Sequence, residues 1–259
     1  MPALARADLE QLLRVRHLDS TLTSSMPLVH AEQAWAASGV AALDTRLGGG
    51  WPRGQVSEIV GPRASGRTRV AVASLAAATA RGELAALVDA GDTFDPDTAA
   101  HVGLRWSHLL WVRGVPLAHL RARGEVVDRA VDRAIKAASL VLAAGGFGLV
   151  VLDLADVPSQ ALRRVPFTTW LRLQRMLEGR DTVVLILSGQ PLGRGAGGVS
   201  VRLDPGARGA ACWRGASDRS RLLAGLTVQA RLSRARPWPN DHEPLVIEPA
   251  PPNVRSGTP

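Results

Sequence analysis

The residues best suited to chemistry lie in one run of eight. Gly61-Pro62-Arg63-Ala64-Ser65-Gly66-Arg67-Thr68 has the glycine spacing of a phosphate-binding loop, with Arg67 at the position where that pattern requires lysine. In such a loop the backbone N–H groups and the positive end of the following helix converge on phosphate oxygens. Gly61, Ser65, Gly66 and Arg67 are the candidate phosphate contacts, and the Thr68 hydroxyl is the candidate ligand for Mg2+. A Gly-rich turn that joins strand to helix and binds nothing reads the same way, and the missing lysine keeps that alternative open. Lysine is a compact point charge on a flexible stem, whereas guanidinium is a broad planar fork. In a loop wrapped closely round a phosphate, that breadth predicts an Arg67 side chain swung out of the cradle. Nucleotide binding tolerates such a change better than charge stabilisation of a transferred phosphoryl group, which needs the cation in place.

Farther along, Phe147-Gly148-Leu149-Val150-Val151-Leu152-Asp153 is an apolar strand ending in aspartate. Nucleotide-binding α/β folds set a carboxylate beside Mg2+ in this way. Taken alone, the strand reads equally as one whose Asp caps the next loop. Paired with the glycine loop upstream, it completes a candidate nucleotide site with Thr68 and Asp153 on the metal side.

These residues need elements to hold them. Val56–Val60, Leu84–Val88, Leu109–Val112, Leu149–Leu152 and Val183–Leu187 are short runs rich in Val, Leu and Ile, apolar on both faces. Strands buried on both faces of a parallel sheet have this texture. Between them, Thr68–Ala80, Pro96–Val102, Leu117–Ala144 and Ser159–Glu178 carry helical patterns. The alternation predicts a doubly wound α/β fold. Val199–Leu203, Leu222–Leu232 and Pro244–Glu248 read as an antiparallel extension of the sheet. Ahead of the core, residues 3–17 form an amphipathic pattern, so 1–37 read as a short N-terminal helix and linker, 38–248 as the core domain and 249–259 as a disordered tail.

Composition narrows the function classes. The 31 basic residues exceed the 23 acidic ones, for a net charge of +8, which favours polyanionic partners. Arginine supplies almost all of the basic charge, Lys136 being the single lysine, a choice that fits GC-rich coding as well as any function. A lone cysteine, Cys212, allows no internal disulfide. Neither a signal-peptide pattern nor an apolar run of about 20 residues is present. A soluble, cytoplasmic protein without membrane contact is the expectation.

Ser38-Gly39-Val40-Ala41-Ala42-Leu43-Asp44-Thr45-Arg46-Leu47-Gly48-Gly49-Gly50-Trp51-Pro52-Arg53-Gly54 strongly resembles the segment that leads into the RecA phosphate loop, and Glu58-Ile59-Val60-Gly61-Pro62 continues it. Val88-Asp89-Ala90-Gly91-Asp92-Thr93-Phe94-Asp95-Pro96 resembles the RecA segment after the next strand. The resemblance runs in order from about 38 to 248. It implies a RecA-like sheet, ATP with Mg2+ as the cofactor, and Asp153 as the Mg2+-associated carboxylate. It also implies Gln190, in Ser188-Gly189-Gln190, as a γ-phosphate sensor, and Arg234 and Arg236 as contacts to a nucleotide on a neighbouring protomer. A solvated basic edge is the plainer reading of those two arginines.

The departures from RecA matter more than the matches. The glutamate that activates the attacking water aligns with Gly91, and neighbouring Asp92 is a poor substitute in reach and position. The loops corresponding to the two DNA-binding loops shrink to Leu154–Gln160 and to Pro191–Val199, the latter carrying Arg194. No counterpart of RecA's C-terminal domain is expected after Glu248. A RecA-like core with degenerate nucleotide motifs and a short N-terminal helix resembles the bacterial ImuA family. That resemblance implies an accessory role in the SOS response and in damage-induced mutagenesis by translesion synthesis. Its implied partners are an ImuB-like Y-family polymerase homologue, an error-prone C-family polymerase complex and RecA itself. The net charge adds non-specific DNA contact as an expectation, and the apolar face of residues 3–17 adds self-association. The competing expectation is an active DNA-dependent ATPase that tolerates Arg67.

Overall fold

A computed structural model of the chain describes residues 35–116, 124–192, 198–205, 211–215, 217, 219–220, 222–234 and 244–247. The described residues belong to one compact unit, Ala34–Pro259. The expected helix at 3–17 and tail at 249–259 lie outside them.

The elements run β1 (Trp35–Ala36), α1 (Ala41–Leu47), β2 (Trp51–Pro52), β3 (Val56–Val60), α2 (Arg67–Ala80), β4 (Leu84–Asp89), α3 (Pro96–His101), β5 (Leu109–Arg113), α4 (Gly124–Ala144), β6 (Phe147–Asp153), α5 (Ser159–Arg164), α6 (Phe167–Leu177), β7 (Val183–Ser188), β8 (Ser200–Pro205), β9 (Ala211–Arg214), β10 (Leu222–Arg234) and β11 (Pro244–Ile247). Nine of these strands form one sheet in the order β11-β10-β8-β3-β7-β6-β4-β5, with β9 also paired to β10. The strands from β8 to β5 are mutually parallel, while β9, β10 and β11 join antiparallel. The expected doubly wound, mostly parallel sheet with antiparallel C-terminal strands is therefore present, with one correction: β8, expected at Val199–Leu203 as part of the antiparallel extension, pairs parallel to β3, and the antiparallel order begins only at β10.

The continuous apolar character of the parallel strands follows from their position. Leu149, Val151, Leu185 and Leu187 pack with α1 and α2 on one face, while Val150, Leu152, Val184 and Ile186 pack with α4, α5 and α6 on the other. β6 and β7 face a helical layer on both sides, so nearly every position in them is buried and no period-2 polar alternation survives, whereas β5 at the sheet edge stays partly exposed, with Leu110 43% exposed.

Three features were not apparent from the sequence. The expected helix Ser159–Glu178 is broken into α5 and α6, with Val165 extended at φ −65°, ψ 120° before Pro166. Proline's ring disfavours a helical residue before it and removes an N–H from the ladder. The glycine-rich segment ahead of β3 holds α1, which ends on Gly48 in the left-handed region at φ 70°. A small two-stranded sheet pairs β1 with β2. Trp51, 1% exposed, donates its indole N–H to Ser74 Oγ at 3.0 Å, and Ser74 donates in turn to the Ser38 carbonyl at 3.1 Å. That chain of bonds fastens the lead-in segment to α2. The helix expected from Leu117 is described from Gly124 onward.

Candidate functional site

β3 carries the chain into the glycine loop at the carboxyl edge of the sheet. The Gly61 N–H donates to the Ser188 carbonyl at 3.2 Å, which ties the loop to the end of β7. A side chain at Gly61 would drive its Cβ into Ser65 Oγ and to 2.5 Å from the Leu203 carbonyl oxygen, so only glycine fits. Ala64 at φ 61° and Gly66 at φ 88° curl the loop, and α2 starts immediately afterward. Ser65 is fully buried, and its Oγ has no hydrogen-bond partner among the described residues. A buried orphan hydroxyl is costly, and a phosphate oxygen is the kind of acceptor that would satisfy it. Thr68 is exposed at the first turn of α2, where its hydroxyl is free to meet a cation.

Arg67 does not swing out. The residue is 5% exposed and its guanidinium turns inward, with Nη1 donating to the Gly61 carbonyl at the start of the loop. Nη2 lies 3.9 Å from Asp156 Oδ1, and a Cβ at Gly189 would stand 3.8 Å from Nη1. The same planar breadth that argued for ejection lets the fork span from the loop's first carbonyl to the turn after β6. Burial lowers the Arg67 pKa, and the nearby carboxylates of Asp156 and Asp153 oppose that shift. Arg63, exposed, reaches the same Asp156 oxygen, with Nε at 3.1 Å.

Asp153 ends β6 directly beside Asp89 at the end of β4. It is 8% exposed, and burial pushes its carboxyl up to about 6. The charges of Asp89 and Asp156 push the same way, while the Ala155 N–H, 2.8 Å from Oδ1, and Arg67 pull it back. Asp89 is fully buried and accepts from the Thr93 and Phe94 N–H groups at 3.1 and 2.9 Å. Those bonds fold the chain after β4 into a turn that contains Gly91. Asp92, at φ 50°, is captured by Arg113 at the end of β5, with Nε–Oδ1 2.7 Å and Nη2–Oδ2 2.9 Å. Arg113 also lies 4.8 Å over the Trp111 ring.

The fold thus brings Gly61, Ser65, Gly66 and Arg67 to one end of the sheet, with Asp153 close enough to act on the Arg67 charge. Gln190 is occupied elsewhere: its Nε2 donates to the Ser159 carbonyl at 3.1 Å, and its Oε1 accepts from Arg163 at 3.4 Å. Arg234 ends β10 opposite Ser200, and Arg236 and Arg194 lie outside the described residues. Asp156, Arg63, Asp89 and Arg113 were not singled out from the sequence. The clue for Asp156 was a second acid three residues after Asp153, in a turn too short for RecA's loop.

A nucleotide's phosphates fit the loop, given the orphan Ser65 hydroxyl and the cationic Arg67. Thr68 and Asp153 would hold Mg2+, which supplies charge neutralisation between phosphate oxygens. Among the described residues no cluster of three or more His, Cys, Asp or Glu side chains is set to hold a metal by itself, so Mg2+ would be held here only together with the nucleotide and water. No helix among the described residues is long and apolar enough to cross a membrane.

A family profile described as the RecA N-terminal domain matches residues 23–118. Protein RecA of Chlorobaculum parvum is 39% identical over 140 residues, which is 50% of this chain and 40% of that protein. Protein RecA of Nostoc punctiforme is 47% identical over 74 residues, 29% of this chain and 21% of the relative. The match therefore spans less than half the length of these curated relatives. The crystal structure of the RadB recombinase superposes with a TM-score of 0.54 at 19% identity, covering 82% of this chain and 95% of that one, a likeness of fold.

Proposed function

We propose that this chain, for which the comparisons support a RecA-like family, serves DNA repair as an accessory protein and does not work as an ATP-driven motor. The observation that carries the reading is the turn after β4. Gly91 offers no group to accept a proton where the RecA resemblance places the water-activating carboxylate, and Asp92, the nearest acid, is bound by Arg113 in a two-point pair. Arg67 supports the same conclusion, since its charge is taken up by the Gly61 carbonyl and the carboxylates after β6. ATP and Mg2+ bind weakly in this reading, and binding is not coupled to efficient hydrolysis.

In its finer form the reading follows the ImuA resemblance. The chain acts in damage-induced translesion synthesis in a bacterial cytoplasm, with an ImuB-like Y-family polymerase homologue, the C-family polymerase complex and RecA as its partners. The +8 net charge supports an added, non-specific contact with DNA. The test is phosphate release by the purified chain with and without single-stranded DNA. Turnover stays near background in this reading, because removing a general base costs about 10²–10⁴-fold. A DNA-stimulated rate abolished by Asp153→Ala would establish the active-ATPase reading instead. Co-purification with the polymerase homologue tests the finer form.

A further inference from the structure

The turn between β6 and α5 places a carboxylate at the glycine loop. Its backbone is fixed at three points: the Leu154 N–H donates to the Leu187 carbonyl at 3.0 Å, the Ala155 N–H to Asp153 Oδ1 at 2.8 Å, and the Val157 N–H to the Leu154 carbonyl at 3.2 Å. Leu154 and Val157 are buried on either side, so Asp156 between them is held in place by its neighbours. One oxygen of that carboxylate, Oδ1, stands 3.1 Å from Arg63 Nε and 3.9 Å from Arg67 Nη2. Two guanidinium groups, both belonging to the glycine loop, thus converge on a single anionic oxygen. A phosphoryl oxygen entering the loop would seek the same two cations, since guanidinium binds phosphate and carboxylate by the same donor geometry.

We propose that Asp156 is an internal anion occupying the loop's cationic seat, and that a nucleoside triphosphate gains that seat only by displacing it. The proposal rests on the reading of the loop as a phosphate site. Asp156 raises the cost of triphosphate entry twice: it takes up the charge of Arg63 and Arg67, and it sets a negative charge beside any incoming phosphate. The seat remains exchangeable. Arg63 is 66% exposed along its side chain, and an ion pair so open to water holds weakly. The carboxylate therefore biases the loop toward its nucleotide-free form without sealing it. An arginine at position 67 suits this arrangement better than lysine, because one planar fork reaches the Gly61 carbonyl and Asp156 together.

The experiment is calorimetric titration of the full chain with ATP and Mg2+, and separately with adenosine, for the native protein, Asp156→Ala and Asp156→Asn. The expected result is about tenfold tighter ATP binding in both variants, with adenosine binding unchanged because it carries no phosphate. ATP affinities within about twofold of the native value would overturn the proposal, as would equal gains for ATP and adenosine, or no ATP binding by any of the three proteins. Asp156→Asn keeps the side chain's size and decides the matter if Asp156→Ala does not fold. Loss of folding in both would make Asp156 a structural residue and equally overturn the proposal. Its failure is distinct from that of the accessory reading, which is judged by phosphate release from the native chain.

Discussion

Asp92 and Arg113 meet across the ends of β4 and β5 in a bidentate pair, and that pair withdraws from proton transfer the one acid beside Gly91. The Arg113 hydrogen bonds hold the Asp92 carboxyl below its ordinary range. An acid kept charged and doubly bonded to an arginine is a poor acceptor for a water proton. Releasing it does not create a base, because its Cα is one residue beyond the required position, in a left-handed conformation. Arg113→Ala therefore leaves phosphate release at background. The double variant Arg67→Lys with Gly91→Glu gains about 10²-fold or more over the native chain. A comparable gain from Arg113→Ala alone would identify Asp92 as a competent base.

Asp153 gives a prediction in pH. Its folded-state carboxyl is raised to about 6, so the folded protein binds the proton more tightly than the unfolded chain does. That contribution to stability is complete below the ordinary carboxyl range and is lost as pH rises through about 6. Asp153→Asn, which cannot ionise, is therefore more stable than the native protein at about pH 8, by about 3 kcal/mol, and melts higher. At about pH 4 the two proteins melt together. Thermal denaturation at the two pH values checks both halves of the statement.

Gly61 is the loop's tightest steric point. A methyl group there would lie 2.5 Å from the backbone oxygen of Leu203, which belongs to β8 and cannot turn aside as a side chain can. Gly61→Ala is expected to destabilise the fold by about 1–3 kcal/mol. It should also lower ATP affinity, because the displaced loop loses its bond to the Ser188 carbonyl. Denaturant titration and calorimetry on the same variant read the two effects.

DNA binding, where it occurs, is expected to be independent of sequence and steep in salt. The net charge of +8 supplies phosphate contacts, and the two loops that resemble RecA's DNA-binding loops are short. Affinity for a single-stranded oligonucleotide should fall by at least about tenfold between roughly 50 and 200 mM salt. A nearly flat response would point to stacking on exposed aromatic side chains such as Trp106, which is 46% exposed.

Local pattern in the sequence was enough to determine the parallel sheet. Leu149, Val150, Val151 and Leu152 must all be apolar when helices cover both faces of their strand, and that requirement is visible without coordinates. The glycine spacing from Gly61 to Thr68 and the glycine at position 91 were equally legible, because each is a matter of which side chain a position has or lacks. The break at Pro166 could have been read from the proline alone, but the apolar periodicity on either side masked it.

What only the tertiary structure decided is where each charge goes. Arg67 turned inward because Gly61 offers a carbonyl and Asp156 a carboxylate within one guanidinium's span, and Asp156 is far from the loop along the chain. Strand order β3-β7-β6 brings them together, and no local periodicity encodes which strand lies beside which. Gln190 was expected by resemblance to sense a γ-phosphate, and in the fold α5 engages both ends of its amide, through Ser159 and Arg163. Apolar burial depends on residue type and spacing, which the sequence carries directly. Ion pairs and hydrogen bonds depend on distances of a few ångströms between segments, and those are fixed only when the sheet has assembled.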